Sequence, residues 1–229
     1  MPEVIQINQD TYRIEDDFVR FYLLIGEKRA LLIDSGCTIT NAKEIVEKLT
    51  DLPIDLINTH VDPDHIAGNN AFSTAYMHPN EYEQYFSNGQ IHPEPTSVSE
   101  NQIFDLGNRE VEIISIPGHT LGSIALLDKK YRVLFSGDTV QDGRIFMFGK
   151  FRNMEMYKQS LLKLMNIKNQ FDRVYASHGT FDLPSTQVDE LLEVVDKIDK
   201  REILSEEVVV HNHKIKQYSS KAAIFLLER

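Results

Sequence analysis

The sequence predicts an α/β protein, a single domain over residues 1–229 with packed sheets flanked by helices. Three observations predict it. Short apolar runs rich in β-branched residues fill the beginning and end of the chain, and stretches with helical spacing lie between them. Gly, Asn, Asp and Pro punctuate the runs at turn intervals. Several apolar runs are also followed by His or Asp, at 60–65, 119, 138 and 178, where a rigid strand can hold a ligand at the edge of a sheet.

The elements follow in order. Residues 4–7, 11–14, 18–25 and 29–33 read as successive strands, with turns at 8–10, 15–17 and 26–28. Thr40 or Asn41 caps a helix to about residue 49, with Ala42, Ile45, Val46 and Leu49 at helical spacing. Pro53 ends that unit. Strand 54–58 leads into Thr59-His60-Val61-Asp62-Pro63-Asp64-His65, after which a helix can begin within 66–70. Next come a strand at 74–77, a helix over 81–86 opened by Pro79 or Asn80, and a loop at 87–99. A hairpin pairs 102–106 with 109–116 around Gly107-Asn108, and Pro117-Gly118-His119-Thr120 is a turn. Strands 123–127 and 132–135 end at Ser136-Gly137-Asp138, and a Gly- and Phe-rich loop covers 141–152. A helix at 155–165, a strand at 173–176 ending in Ser177-His178-Gly179, and the longest helix at 184–204 follow. Strands 208–210, 214–218 and 223–227 close the chain.

Composition narrows the function. Apolar residues make up 41% of the 229, enough for a sizeable core, and the net charge is -11. That charge argues against nucleic acid and anionic membrane as partners and leaves a small-molecule substrate. Cys37 is the one cysteine, so no internal disulfide forms, and it reads as a structural residue rather than a catalytic thiol. The first residues carry no basic segment followed by an apolar core, and no window approaches a membrane helix in length. A cytoplasmic protein is expected, its oligomeric state open.

Imidazole and carboxylate are the ligand types of zinc, manganese and iron sites. His119, Asp138 and His178 each sit beside Gly, which lets the backbone turn sharply. His78, His92, His211 and His213 lack the strand-end, Gly-adjacent setting, and His211-Asn212-His213 reads as a polar turn in an edge hairpin.

This pattern resembles the metallo-β-lactamase superfamily over nearly the whole chain. That family's leading motif is His-x-His-x-Asp-His, followed by a His, a bridging Asp and a last His. The chain offers His60-x-Asp62-x-Asp64-His65, then Pro117-Gly118-His119-Thr120, Ser136-Gly137-Asp138 and His178-Gly179. The resemblance implies a four-layer αββα sandwich with a two-metal site at one edge. It implies that His60, Asp62 and His119 hold the first ion, that Asp64, His65 and His178 hold the second, and that Asp138 bridges. Asp34 matches a recurrent Asp after the early strands and is expected to stand behind the ligands. The family usually has His where this chain has Asp62. Zinc is the metal expected first, and the added carboxylate shifts preference toward harder ions, so manganese or iron are the alternatives.

Two such ions support hydrolysis of a small ester, thioester, lactone or phosphoester, with Asp64 orienting or deprotonating the water. No Gly-x-Ser-x-Gly nucleophile elbow competes with that reading. Phe146, Phe148 and Arg144 in the 141–152 loop suggest an apolar, cationic lip for an acyl substrate with an anionic end. Glyoxalase-type thioesterases of the family carry an added helical domain after the last His. Here residues 179–229 hold one long helix and closing strands. The rival reading is a metal-binding protein of the same fold with little or no turnover, which the Asp62 substitution favours.

Overall fold

The computed structural model describes residues 2–87 and 93–228. His92 therefore lies outside the described residues, as does part of the 87–99 segment. Contacts divide the chain into two compact units, 1–114 with 126–130, and 115–125 with 131–229.

The first unit opens with four strands, β1 (Glu3–Asn8), β2 (Thr11–Asp16), β3 (Val19–Ile25) and β4 (Ala30–Ile33). Each pairs antiparallel with its neighbour. Helix α1 (Ala42–Val46) then crosses to β5 (Ile54–Ile57), which lies parallel to β4 with Ile33 beside Ile57. Helix α2 (Pro63–Ile66) and a 3-10 turn (Asn69–Ala71) precede β6 (Thr74–Met77). A second 3-10 turn (Pro79–Glu81) runs into α3 (Tyr82–Ser87), and β7 (Glu94–Ser97) follows. These strands form one seven-stranded sheet in chain order, parallel from β4 onward. Its core packs Phe21, Leu23, Leu32, Leu56 and Met77 against Ala42 and Val46 of α1.

Strands β8 (Ile103–Asp105) and β9 (Glu110–Ser115) form the expected hairpin. Arg109 at its turn is fully buried and bonds Asp128 at 2.6 Å, the Asp10 carbonyl at 2.6 Å and Thr11 Oγ1 at 2.7 Å. A charge that far from water needs such complete pairing. Strand β10 (Ile124–Asp128) is entirely buried, and the division between the units passes through it.

In the second unit β11 (Val133–Phe135) precedes β12 (Arg144–Met147) and helix α4 (Met154–Asn166). Asn153 caps α4 by accepting the Met156 N–H at 2.9 Å. Strand β13 (Arg173–Tyr175) runs parallel to β11, and β14 (Asp182–Pro184) pairs antiparallel with β13. Helix α5 (Gln187–Asp199) leads to β15 (Ser205–Val210), β16 (His213–Ser219) and β17 (Ile224–Leu227). The last three strands and β12 form a four-stranded sheet in the order β12-β17-β16-β15.

Four local expectations change. The 141–152 segment is not all loop: Arg144 to Met147 pair in parallel with β17. Its alternation, exposed Arg144, buried Ile145, half-buried Phe146, buried Met147, is a strand period that the Gly-rich flanks obscure. Residues 94–97 are a polar edge strand on β6, where Pro95 is tolerated. The last helix begins at Gln187, not 184, because 182–184 pair with β13. A helix begins inside the ligand stretch, at Pro63, whose missing N–H suits the first helical position.

Candidate metal centre

In the first unit the ligand stretch hangs from the carboxyl ends of the parallel strands β4 and β5. The Asp34 N–H donates to the Ile57 carbonyl at 2.8 Å, and Asp34 itself takes positive φ, 63°. That bend points its buried carboxylate at the next strand end. Oδ1 accepts the Thr59 N–H at 2.8 Å and Oδ2 accepts the Thr59 hydroxyl at 2.8 Å. Oδ2 also lies 2.9 Å from His65 Nδ1. The Thr59 proton is thereby committed to the carboxylate, so at 3.0 Å its oxygen accepts from His60 Nδ1. One carboxylate thus holds both imidazoles in the same tautomer, directly at His65 and through a hydroxyl at His60. In that tautomer the lone pair of each ring lies on Nε2, the atom a metal would use.

Those Nε2 atoms face carboxylate oxygens. His60 Nε2 lies 3.6 Å from Asp62 Oδ2, and His65 Nε2 lies 3.7 Å from Asp64 Oδ2. His60 and His65 are buried, while Asp62 and Asp64 are partly open, at 15% and 23% exposure. Beneath them Ser35 donates to Asn69 at 2.7 Å and Asn69 donates to Asn58 at 2.8 Å, bracing the turn with buried side chains. Burial pushes the nearby Tyr85 phenol up to about 12, so it stays a neutral hydroxyl.

In the second unit three separate chain segments supply the donors. His119 lies between Gly118 and Thr120, and its Nδ1 is 3.1 Å from the Phe146 carbonyl of β12. A carbonyl only accepts, so Nδ1 carries the proton and the lone pair lies on Nε2. Asp138 follows β11 and His178 follows the parallel β13, so both leave the same edge. Helix α4 supports the turn: the Tyr157 hydroxyl donates to the Thr139 carbonyl at 2.7 Å. Asp142 accepts the Thr180 N–H at 2.8 Å and so clamps the residues after His178. Asp138 presents one oxygen to each imidazole. Oδ2 lies 3.6 Å from His119 Nε2, and Oδ1 lies 3.2 Å from His178 Nε2.

These spacings test whether the residues fit a metal. Two ligand atoms each about 2.0–2.1 Å from a tetrahedral ion are separated by about 3.3–3.4 Å. The four N···O distances, 3.6, 3.7, 3.6 and 3.2 Å, lie around that value. Three of them exceed the hydrogen-bond range of about 2.7–3.2 Å. The donor set and its separations fit divalent metal ions.

Every residue singled out in the sequence as a ligand has its imidazole or carboxylate at one of these strand ends, and Asp34 stands behind two of them. Sequence reading missed Thr59, Glu81 and Gln84, and the part played by the Phe146 backbone. Glu81 is buried and accepts the Val61 N–H at 2.9 Å, and Gln84 donates to Asp62 at 2.7 Å. No local signal marks either: both lie on a short helical segment that reads as ordinary amphipathic chain. His211 and Asn212 form the hairpin turn with φ of 47° and 65°, as two-residue hairpins require. The His211 ring stacks on Phe146 at 5.9 Å, and His213 lies 5.7 Å from Phe148. Among the described residues Arg144 is exposed and enters no ion pair.

The metallo-β-lactamase superfamily matches residues 14–198. The chicken (Gallus gallus) acyl-coenzyme A thioesterase MBLAC2 is 24% identical over 196 residues, 69% of this chain and 71% of that protein. A hydroxyacylglutathione hydrolase of Bdellovibrio bacteriovorus is 28% identical over 170 residues, 72% of this chain and 64% of that one. The solved metallo-β-lactamase from Pontibacter korlensis superposes with a TM-score of 0.72 at 16% identity, covering 86% of this chain and 99% of that one. The mixed α/β fold with several sheets is therefore that of solved metallo-β-lactamases. With its metal-type donors at the strand ends, the chain belongs to the metallo-β-lactamase superfamily and is one of its metallo-hydrolases.

Proposed function

We propose that this enzyme hydrolyses acyl thioesters at a binuclear centre. His60, Asp62 and His119 would hold one ion and Asp64, His65 and His178 the other, with Asp138 able to serve both, as the family's motif order implies. The observation that carries the reading is Asp138, whose two oxygens each face a different imidazole. Zinc is the expected metal, with manganese or iron the alternatives for so carboxylate-rich a set. Bound there, divalent ions lower the pKa of a water and polarise a carbonyl.

The chain's own residues do the rest. Asp64, partly open, orients the attacking water and takes its proton. Water oxygen bonds to the acyl carbon, the carbon–sulfur bond breaks, and the proton on Asp64 returns to the departing thiolate. Asp34 keeps His60 and His65 from rotating. Phe146 and Phe148 receive the acyl body, and Arg144 pairs with an anionic group on the thiol side. The choice of thioester follows the two relatives, an acyl-coenzyme A thioesterase and a hydroxyacylglutathione hydrolase.

The test is metal content by elemental analysis together with release of free thiol from acyl thioesters of increasing chain length. About two equivalents of metal per chain, and thiol release abolished by a chelator and restored by zinc, are expected. Full metal content without turnover of any thioester, ester, lactone or phosphodiester overturns the enzyme reading in favour of a metal-binding protein.

A further inference from the structure

Asp62 is the N-cap of α2, with extended backbone (φ −63°, ψ 148°), and Pro63 follows it. An Asp in that position ordinarily turns its carboxylate back onto an N–H of the first turn. This one makes no such bond. Oδ1 instead accepts from Gln84 Nε2 at 2.7 Å, and Oδ2 is the oxygen 3.6 Å from His60 Nε2. The direction of the amide follows from chemistry, because the reversed amide would set Oε1 against a carboxylate oxygen. In this orientation Gln84 Oε1 is buried without a hydrogen-bond partner. A buried acceptor left unmatched asks for a compensating use of the other end of the amide. Glu81, one turn earlier, holds the Val61 N–H at 2.9 Å. Backbone and side chain around Asp62 are thus gripped by one helical segment.

We propose that Gln84 is a positioning residue that makes Asp62 a one-point metal ligand. By occupying Oδ1, it leaves Oδ2 as the oxygen offered beside His60, as a single imidazole nitrogen would be offered by the family's usual His. The proposal rests on the reading above that Asp62 is a ligand. A carboxylate with both oxygens loose can chelate, which suits larger, harder ions of higher coordination number. A carboxylate pinned through one oxygen suits four-coordinate zinc. Gln84 therefore sets the preference for zinc over manganese.

The experiment measures zinc and manganese affinity by competition with a chromophoric chelator. It uses the whole protein and the Gln84→Leu, Gln84→Met, Asp62→Ala and Asp62→Ala/Gln84→Leu variants, with thermal unfolding as a folding check. Gln84→Leu and Gln84→Met should each weaken the more labile zinc equivalent about 10- to 100-fold, the usual effect of removing a group that orients a ligand. Manganese should weaken less, so the zinc-to-manganese ratio falls. In the Asp62→Ala background, Gln84→Leu should change nothing further. Unchanged zinc affinity in well-folded Gln84→Met, while Asp62→Ala weakens it, overturns the role of Gln84 and spares the ligand. The same loss from Gln84→Leu with and without Asp62 shows a merely structural residue and also overturns it. Unchanged affinity in Asp62→Ala removes the ligand, and the proposal with it.

Discussion

The two units hold the same kind of donors by different means. In the first, four donors come from six consecutive residues, 60–65, and both imidazoles are set by side chains, Asp34 and Thr59. In the second, the donors come from three segments far apart in sequence, and His119 is set by a backbone carbonyl, that of Phe146. A side chain that fixes a tautomer can be removed by one substitution. A carbonyl cannot, so the second set is open to attack only through a donor itself or through the packing that places the strand. The first set is accordingly the adjustable one. It also contains Asp62, at the position where the motif that the chain resembles usually has His.

Four experiments break or sharpen that comparison. The largest effect is expected from Asp138→Ala, which removes the oxygens facing both His119 and His178. Activity should fall by more than the about 10²–10³-fold that follows loss of a single oxyanion donor, and metal content should drop. Full activity would end the two-metal mechanism.

Asp34→Asn comes next, because Asn tolerates the positive φ at that position while its single amide oxygen cannot accept the Thr59 N–H as well as the Thr59 hydroxyl and His65, as the two carboxylate oxygens do. Zinc affinity should weaken about 10- to 100-fold with the fold intact. An unchanged affinity would mean that side-chain control in the first unit is dispensable.

Gly118→Ala probes the second unit through its packing. The glycine has φ of 142°, and an added Cβ would lie 2.3 Å from the Tyr157 Cα of α4. Backbone must shift there, so stability should fall by about 1–3 kcal/mol in denaturant unfolding, with loss of activity in proportion to the displacement of His119. Wild-type stability would show that α4 yields freely and does not position this turn.

The smallest effect concerns the loop after β4. Asp16 accepts from the Cys37, Thr38 and Ile39 N–H groups and from the Thr38 hydroxyl. Burial alone would raise its pKa, but these donors outweigh it and hold the carboxylate below its ordinary 3.8. A depressed folded-state pKa contributes stability above the unfolded value that disappears as pH falls through the folded one. Asp16→Asn should cost about 1 kcal/mol at neutral pH, and the difference from wild type should vanish in acid. A difference that persists unchanged below about pH 3 would assign the loss to shape rather than charge.

How much was legible follows from the range of each signal. Strand and helix spacing showed β1 to β6 and α4 because alternation and helical periodicity are local. The edge strands at 94–97 and 182–184 were misread because both contain Pro and take their strand character from a neighbour, not from their own side chains. Strand β12 was hidden by its Gly flanks and aromatic composition. The metal-type residues stood out because their chemistry is rare at strand ends.

By itself the sequence determined the donor types, their order, the family they resemble and the acidic, single-cysteine chain that carries them. These are properties of residues and of spacing along the chain. Only the tertiary structure decided which nitrogen of His60, His65 and His119 carries the proton, which oxygen of Asp62 faces His60, and which residues enforce those choices. The reason is the reach of the hydrogen bonds concerned. His65 meets Asp34 across 31 positions, His119 meets Phe146 across 27, and Asp62 meets Gln84 across 22. Each partner is brought there by sheet register and helix packing, which no local pattern in the sequence displays.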